Sequence, residues 1–120
     1  MSTILVVDDA QTDRELMARV VNASGHQALL AGDGKQAVAL AKQYKPSLIF
    51  LDVVMPMQDG YKTCRQLKKD PDTSGIPVVM ITSKNADSDR FWSQRQGAVD
   101  HVGKPFTPES LLGCIRLYAR

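Results

Sequence analysis

Short apolar runs recur along the chain, and most stop abruptly at a polar residue. Ile4, Leu5, Val6 and Val7 run into Asp8 and Asp9, and Leu48, Ile49, Phe50 and Leu51 run into Asp52. Val78, Val79, Met80 and Ile81 follow Pro77 and end in Thr82 and Ser83. Weaker runs lie at 27–31 and 99–102, the latter just before Lys104 and Pro105. Continuous runs of this length suit strands buried on both faces, as in parallel sheets.

Between the runs the period changes to that of a helix. Leu16, Met17, Val20 and Val21 share one face, and Gly25 suits the helix stop. Asp33 and Gly34 open a helix with Ala37, Leu40, Ala41 and Tyr44 inward, and Lys45 before Pro46 ends it. Tyr61, Cys64 and Leu67 mark a third helix, after a turn at Asp59 and Gly60. A polar fourth helix is predicted over 86–96. Its Phe91 and Trp92 are adjacent and cannot share the centre of one stripe. Thr107, Pro108 and Glu109 are a strong start for the last helix, with Leu111, Leu112, Ile115 and Tyr118 buried.

Strand and helix thus alternate five times. That pattern predicts an α/β fold: a flavodoxin-like, doubly wound five-stranded parallel sheet, order 2-1-3-4-5, with five helices and its switch point between strands 1 and 3.

Composition narrows the function. A chain of 120 residues reads as one domain, 1–120, with 43% apolar and 23% charged residues, as in ordinary globular proteins. No apolar run approaches the roughly 18 residues of a membrane span, and the N-terminus lacks the basic segment of a signal peptide. A cytoplasmic protein without membrane association is expected. The net charge of +2 is small and dispersed, which argues against nucleic-acid binding. Cys64 and Cys114 lack metal-type spacing and read as reduced thiols.

Ligands of open α/β sheets bind beyond the carboxyl ends of the strands. There the predicted order gathers Asp8, Asp9, Asp52, Thr82 and Lys104. Three carboxylates against one ammonium leave an excess of negative charge. A hard divalent cation such as Mg²⁺ balances it and keeps positions open for phosphate oxygens. Phosphoryl transfer needs charge neutralisation at the transferred group, and a carboxylate is a competent nucleophile for it. In that scheme Asp8 and Asp9 hold the metal, Asp52 accepts the phosphoryl group, and Thr82 and Lys104 meet its oxygens. Taken alone, Asp8 and Asp9 could equally be a helix cap and its neighbour.

The joint pattern resembles a known family. Ile4-Leu5-Val6-Val7-Asp8-Asp9, Leu51-Asp52-Val53-Val54-Met55-Pro56, Ile81-Thr82-Ser83 and Gly103-Lys104-Pro105-Phe106 are similar to the receiver domain of two-component response regulators, across the whole chain. The resemblance implies Asp52 as phosphorylation site and Mg²⁺ on Asp8, Asp9 and Asp52, with the Val54 carbonyl as a further ligand. It implies a sensor histidine kinase as phosphodonor, with the receiver catalysing its own phosphorylation and autodephosphorylation. It also implies a cis peptide before Pro105. A chain ending soon after the fifth helix resembles stand-alone CheY-type regulators, which are monomeric by default and act by docking on a protein target. The face expected to dock comprises the fourth helix, the fifth strand and the fifth helix, with Trp92 and His101. The stretch 91–98 further resembles PilH-type regulators of type IV pilus twitching motility.

His101 stands where this family usually carries Tyr or Phe as a switch linked to Thr82. It reads either as a switch whose charge varies near neutral pH or as a plain edge-strand histidine. Lys84, at the mouth of the site, is either surface or a residue that tunes the phosphorylation rate.

Three other functions share parts of the pattern. A haloacid-dehalogenase-type phosphatase needs an acid two residues after its nucleophile, where Val54 stands. A flavodoxin-like binder would meet repulsion between a flavin phosphate and Asp8 and Asp9. A receiver fold serving as a phosphate-independent interaction module is the third.

Overall fold

The computed structural model describes residues 2–53, 60–82 and 97–119. Five strands, β1 (Thr3–Val7), β2 (Gln27–Ala31), β3 (Leu48–Asp52), β4 (Val78–Thr82) and β5 (Asp100–Gly103), form one parallel sheet in the order β2-β1-β3-β4-β5. The described helices are α1 (Gln11–Ala23), α2 (Gly34–Tyr44), α3 (Gly60–Lys69) and α4 (Pro108–Tyr118). The helix predicted over 86–96, with Phe91 and Trp92, lies outside the described residues.

The pleat divides the three central strands between two cores. Leu5, Val7, Ile49, Leu51, Val78 and Met80 pack with Ala37, Ala41, Cys64 and Leu67 of α2 and α3. Ile4, Val6, Leu48, Phe50, Val79 and Ile81 pack with Met17, Val21, Leu111, Cys114 and Ile115 of α1 and α4. Every residue of β3 is buried, Asp52 included. Burying Phe50 alone contributes roughly 2–3 kcal/mol of transfer free energy. Both cysteines are buried free thiols, and burial pushes each up to about 11.

Helix ends follow the local chemistry. The Thr107 side chain accepts the Ser110 N–H at 3.1 Å, the Ser110 hydroxyl in turn accepts the Thr107 N–H, and Pro108 opens α4. Asp33 caps α2 by accepting the Gln36 N–H at 2.8 Å. Lys45 leaves the α region as expected before Pro46, but through the left-handed region at φ 47°. Gly25, just past α1, has φ 91°.

Two predicted core positions are corrected. Leu16 is 43% exposed and Tyr44 is 52% exposed. The stripe that each helix buries is narrow and is filled by Met17, Ala18 and Val21 in α1, and by Ala37 and Ala41 in α2. Strand β5 begins at Asp100, which leaves Val99 outside it and exposed.

Candidate functional site

The site lies where β1 and β3 end side by side, with Val7 opposite Leu51 in the register. Asp8 follows β1 directly and has no exposed surface. Its Oδ1 accepts the Ala10 N–H at 2.9 Å, so the carboxylate turns back over the β1–α1 connection. The Arg14 guanidinium donates to the Asp8 carbonyl at 2.8 Å and holds the same turn from α1. The N-cap of α1 is Ala10, without a side-chain cap bond, so neither Asp8 nor Asp9 is spent as the N-cap of this helix.

Asp52 ends the buried central strand. Its position depends on Gly60. The Gly60 N–H donates to the Val53 carbonyl at 2.7 Å. A Cβ at Gly60 would lie 2.7 Å from Val53 Cα and 2.9 Å from Asp52 C, and nearer still to the Asp52 carbonyl oxygen. The first residue of α3 therefore packs directly on the backbone that carries Asp52. Gly60 serves close approach rather than the backbone freedom expected of a turn glycine.

Asp8, Asp9 and Asp52 each offer a carboxylate oxygen, and these oxygens all lie within 4.8 Å of one another. Asp9 is exposed while the other two are buried. An all-oxygen donor set carrying three negative charges, two of them on buried groups, fits a hard divalent cation.

Lys104 enters from the loop after β5. Its Nζ stands 3.0 Å from Asp8 Oδ2, 3.1 Å from Asp13 Oδ2 and 3.6 Å from Asp52 Oδ1. Burial works against the charged amine. The hydrogen bonds that the amine donates to Asp8 and Asp13, with the charges of Asp52 and Asp8, outweigh burial and hold the pKa above the ordinary lysine value. Thr82 is buried at the end of β4. The Lys104 N–H donates to the Thr82 carbonyl at 2.6 Å, and the Val53 N–H donates to the Ile81 carbonyl at 2.9 Å. The ends of β3, β4 and β5 are thereby tied together around the carboxylates. The Lys104–Pro105 peptide is cis, as the family resemblance implied.

His101 is half-buried on the edge strand β5. Its N–H donates to Asp100 Oδ1 at 2.8 Å, and it lines a depression between β5 and α4 with Lys104, Pro105 and Cys114. Val54, Lys84 and Trp92 lie outside the described residues.

Sequence reasoning missed Asp13 and Arg14. Both sit in the first turns of α1, where an acid reads as ordinary dipole compensation. Only the fold brings Asp13 against a lysine ninety-one positions away.

Comparison with known proteins shows likeness in both sequence and fold. The family described as response regulator receiver domain matches residues 4–116. Protein PilH of Pseudomonas aeruginosa is 44% identical over 115 residues, covering 96% of this chain and 95% of PilH. The chain spans about half the length (48%) of other curated relatives it matches. Vibrio cholerae chemotaxis protein CheY4 superposes with a TM-score of 0.92 at 26% identity, covering 98% of both chains. The Mn²⁺-bound form of response regulator Rcp1 superposes with a TM-score of 0.84 at 26% identity, covering 100% of this chain and 96% of that one.

Proposed function

The chain belongs to the response regulator receiver family, and from that premise we propose that Asp52 is its phosphoryl acceptor, in a reaction that depends on Mg²⁺. The observation that carries the proposal is the cluster of Asp8, Asp9 and Asp52 oxygens within 4.8 Å, with the Lys104 amine 3.6 Å from Asp52. An Asp52 oxygen attacks the phosphorus of a phosphohistidine on a sensor kinase. The P–N bond breaks as the P–O bond forms, and the imidazole leaves with the electron pair. Asp8, Asp9, Asp52 and the Val54 carbonyl would hold Mg²⁺, which supplies charge neutralisation for the transferred group. A Mn²⁺-bound relative with the same fold supports a divalent site.

Lys104 keeps its charge because acids surround it, and it meets one phosphoryl oxygen while Thr82 meets another. Gly60 holds the Asp52 backbone from behind. Water in the same site later hydrolyses the acyl phosphate to inorganic phosphate and the free Asp52 carboxylate, so the receiver serves as its own catalyst in both steps. Lys84 stands near this chemistry in sequence and tunes its rate.

Phosphorylation is read out by docking on a protein target through the face that includes Trp92 and His101. Thr82 is one strand away from His101, since Met80 pairs with His101 and Thr82 with Gly103. Likeness to PilH over nearly the whole chain supports a single receiver unit, 1–120, in type IV pilus or chemotaxis-like control. None of the described helices is long and apolar enough to cross a membrane, and we place this monomeric regulator in the cytoplasm.

Intact-mass measurement after incubation with acetyl phosphate tests the assignment. Wild-type protein gains one phosphoryl group with Mg²⁺ and none after chelation, and Asp52→Ala gains none. A phosphate-independent interaction module would gain no mass in any arm.

A further inference from the structure

Lys104 is shared among three acids, but only two of them belong to the carboxylate cluster. The third, Asp13, comes from the first turn of α1, three residues past the cap Ala10. It holds the amine at 3.1 Å, as closely as Asp8 at 3.0 Å and more closely than Asp52 at 3.6 Å.

Of the three donors of the ammonium, two are hydrogen-bonded to Asp8 and Asp13 while Asp52 lies at 3.6 Å, so a phosphoryl oxygen on Asp52 that draws the amine to itself pulls it away from those two acceptors. The acceptors differ in what displacement costs them. The Asp8 side chain has no exposed surface, so water cannot take the place of the amine there. The Asp13 side chain is 35% exposed and passes to water at little cost. Asp52 is the group being modified. Asp13 is therefore the exchangeable partner.

We infer that Asp13 is a positioning residue: it holds Lys104 while Asp52 is unmodified and surrenders it when a phosphoryl group is bound. The inference rests on the proposal that Asp52 is the acceptor. Asp13 neighbours Arg14, whose guanidinium grips the Asp8 carbonyl. Loss of the Lys104 contact is thus felt in the first turn of α1, on the opposite side of the site from α3. Asp13 sets a threshold, because part of the phosphoryl group's attraction for Lys104 goes to replacing a contact that already exists.

The test is calorimetric titration with beryllofluoride, a phosphoryl mimic, in excess Mg²⁺, on the wild type, Asp13→Asn, Lys104→Met and the double variant. A partly exposed ion pair implies that Asp13→Asn binds about two- to fivefold tighter than wild type. That gain disappears in the Lys104→Met background. The ¹⁵Nζ resonance of Lys104 also moves in Asp13→Asn before any mimic is added. An Asp13→Asn affinity equal to wild type overturns the inference. So does a gain that persists without Lys104, since it would report only the removal of a nearby negative charge. Wild-type protein that fails to bind at all overturns the acceptor assignment together with this inference, whereas normal wild-type binding with an unchanged Asp13→Asn overturns this inference alone.

Discussion

Two partly buried lysines stand at opposite ends of the sheet, and they meet opposite surroundings. At the amino edge, Lys68 of α3 donates to the carbonyls of Ser74 and Ile76 in the loop that leads into β4. Burial lowers its pKa, and among the described residues no carboxylate compensates. At the carboxyl edge, burial also opposes the charge of Lys104, yet Asp8, Asp52 and Asp13 overcome it and raise the pKa. Carbonyls complete a loop and leave nothing over. Carboxylates in excess of one ammonium leave negative charge for a metal ion to balance, and a cation-rich site is what an incoming phosphoryl group needs. The same side chain is a staple at one end and part of a charge-exchange site at the other.

A tightly packed glycine lies at each end of the sheet, and substituting both sharpens the contrast most. Gly60→Ala places a methyl group against the Asp52 and Val53 backbone, which has no rotamer with which to yield. We expect a loss of about 3 kcal/mol or more by urea denaturation, with weakened Mg²⁺ binding. At the other end, the nearest atom to a Cβ on Gly97 is Lys68 Cγ at 2.9 Å, on a flexible side chain, although φ is 93°. Gly97→Ala should cost about 1–2 kcal/mol and leave Mg²⁺ binding unchanged. Equal losses at the two positions would break the comparison.

The lysines come next. Lys104→Met leaves the buried Asp8 without its ammonium and should cost about 2 kcal/mol in chelator, much of it recovered with millimolar Mg²⁺. Lys68→Met leaves two carbonyls short of a donor and should cost about 1 kcal/mol, with no recovery by Mg²⁺. Denaturation curves with and without Mg²⁺ read both. Recovery of Lys68→Met by Mg²⁺ would contradict the division of roles.

At neutral pH the smallest effect concerns the core that both ends share. Burial raises Cys64 from an ordinary 9.0 to about 11. The folded state therefore keeps this proton where the unfolded state loses it. Its contribution to stability is complete below about pH 9 and is lost as pH rises toward 11. Comparing wild type with Cys64→Ala across that range, the variant should show the shallower alkaline decline.

Much of this was legible in the chain. The runs ending at Asp8, Asp52 and Thr82 gave the strands and their order, because a parallel sheet buries both faces and leaves only its ends polar. The acid cluster and Lys104 followed from the same ends. Narrow helix contacts were not legible: Leu16 and Tyr44 fit the helical period and are exposed all the same. Asp13 was hidden because an acid in a first helical turn has a sufficient local reason to be there. Gly60 read as a turn residue, since sequence does not reveal which backbone will press on a missing Cβ. Such contacts belong to the packing of distant segments rather than to local pattern.

The central claim is that Asp52, and none of the acids around it, carries the phosphoryl group. Borohydride reduction of protein phosphorylated with acetyl phosphate and Mg²⁺ converts the acyl phosphate to an alcohol that peptide mass spectrometry can locate. The account predicts conversion at residue 52 alone. Conversion at Asp8, Asp9 or Asp13, or at no residue despite a mass gain, would contradict it.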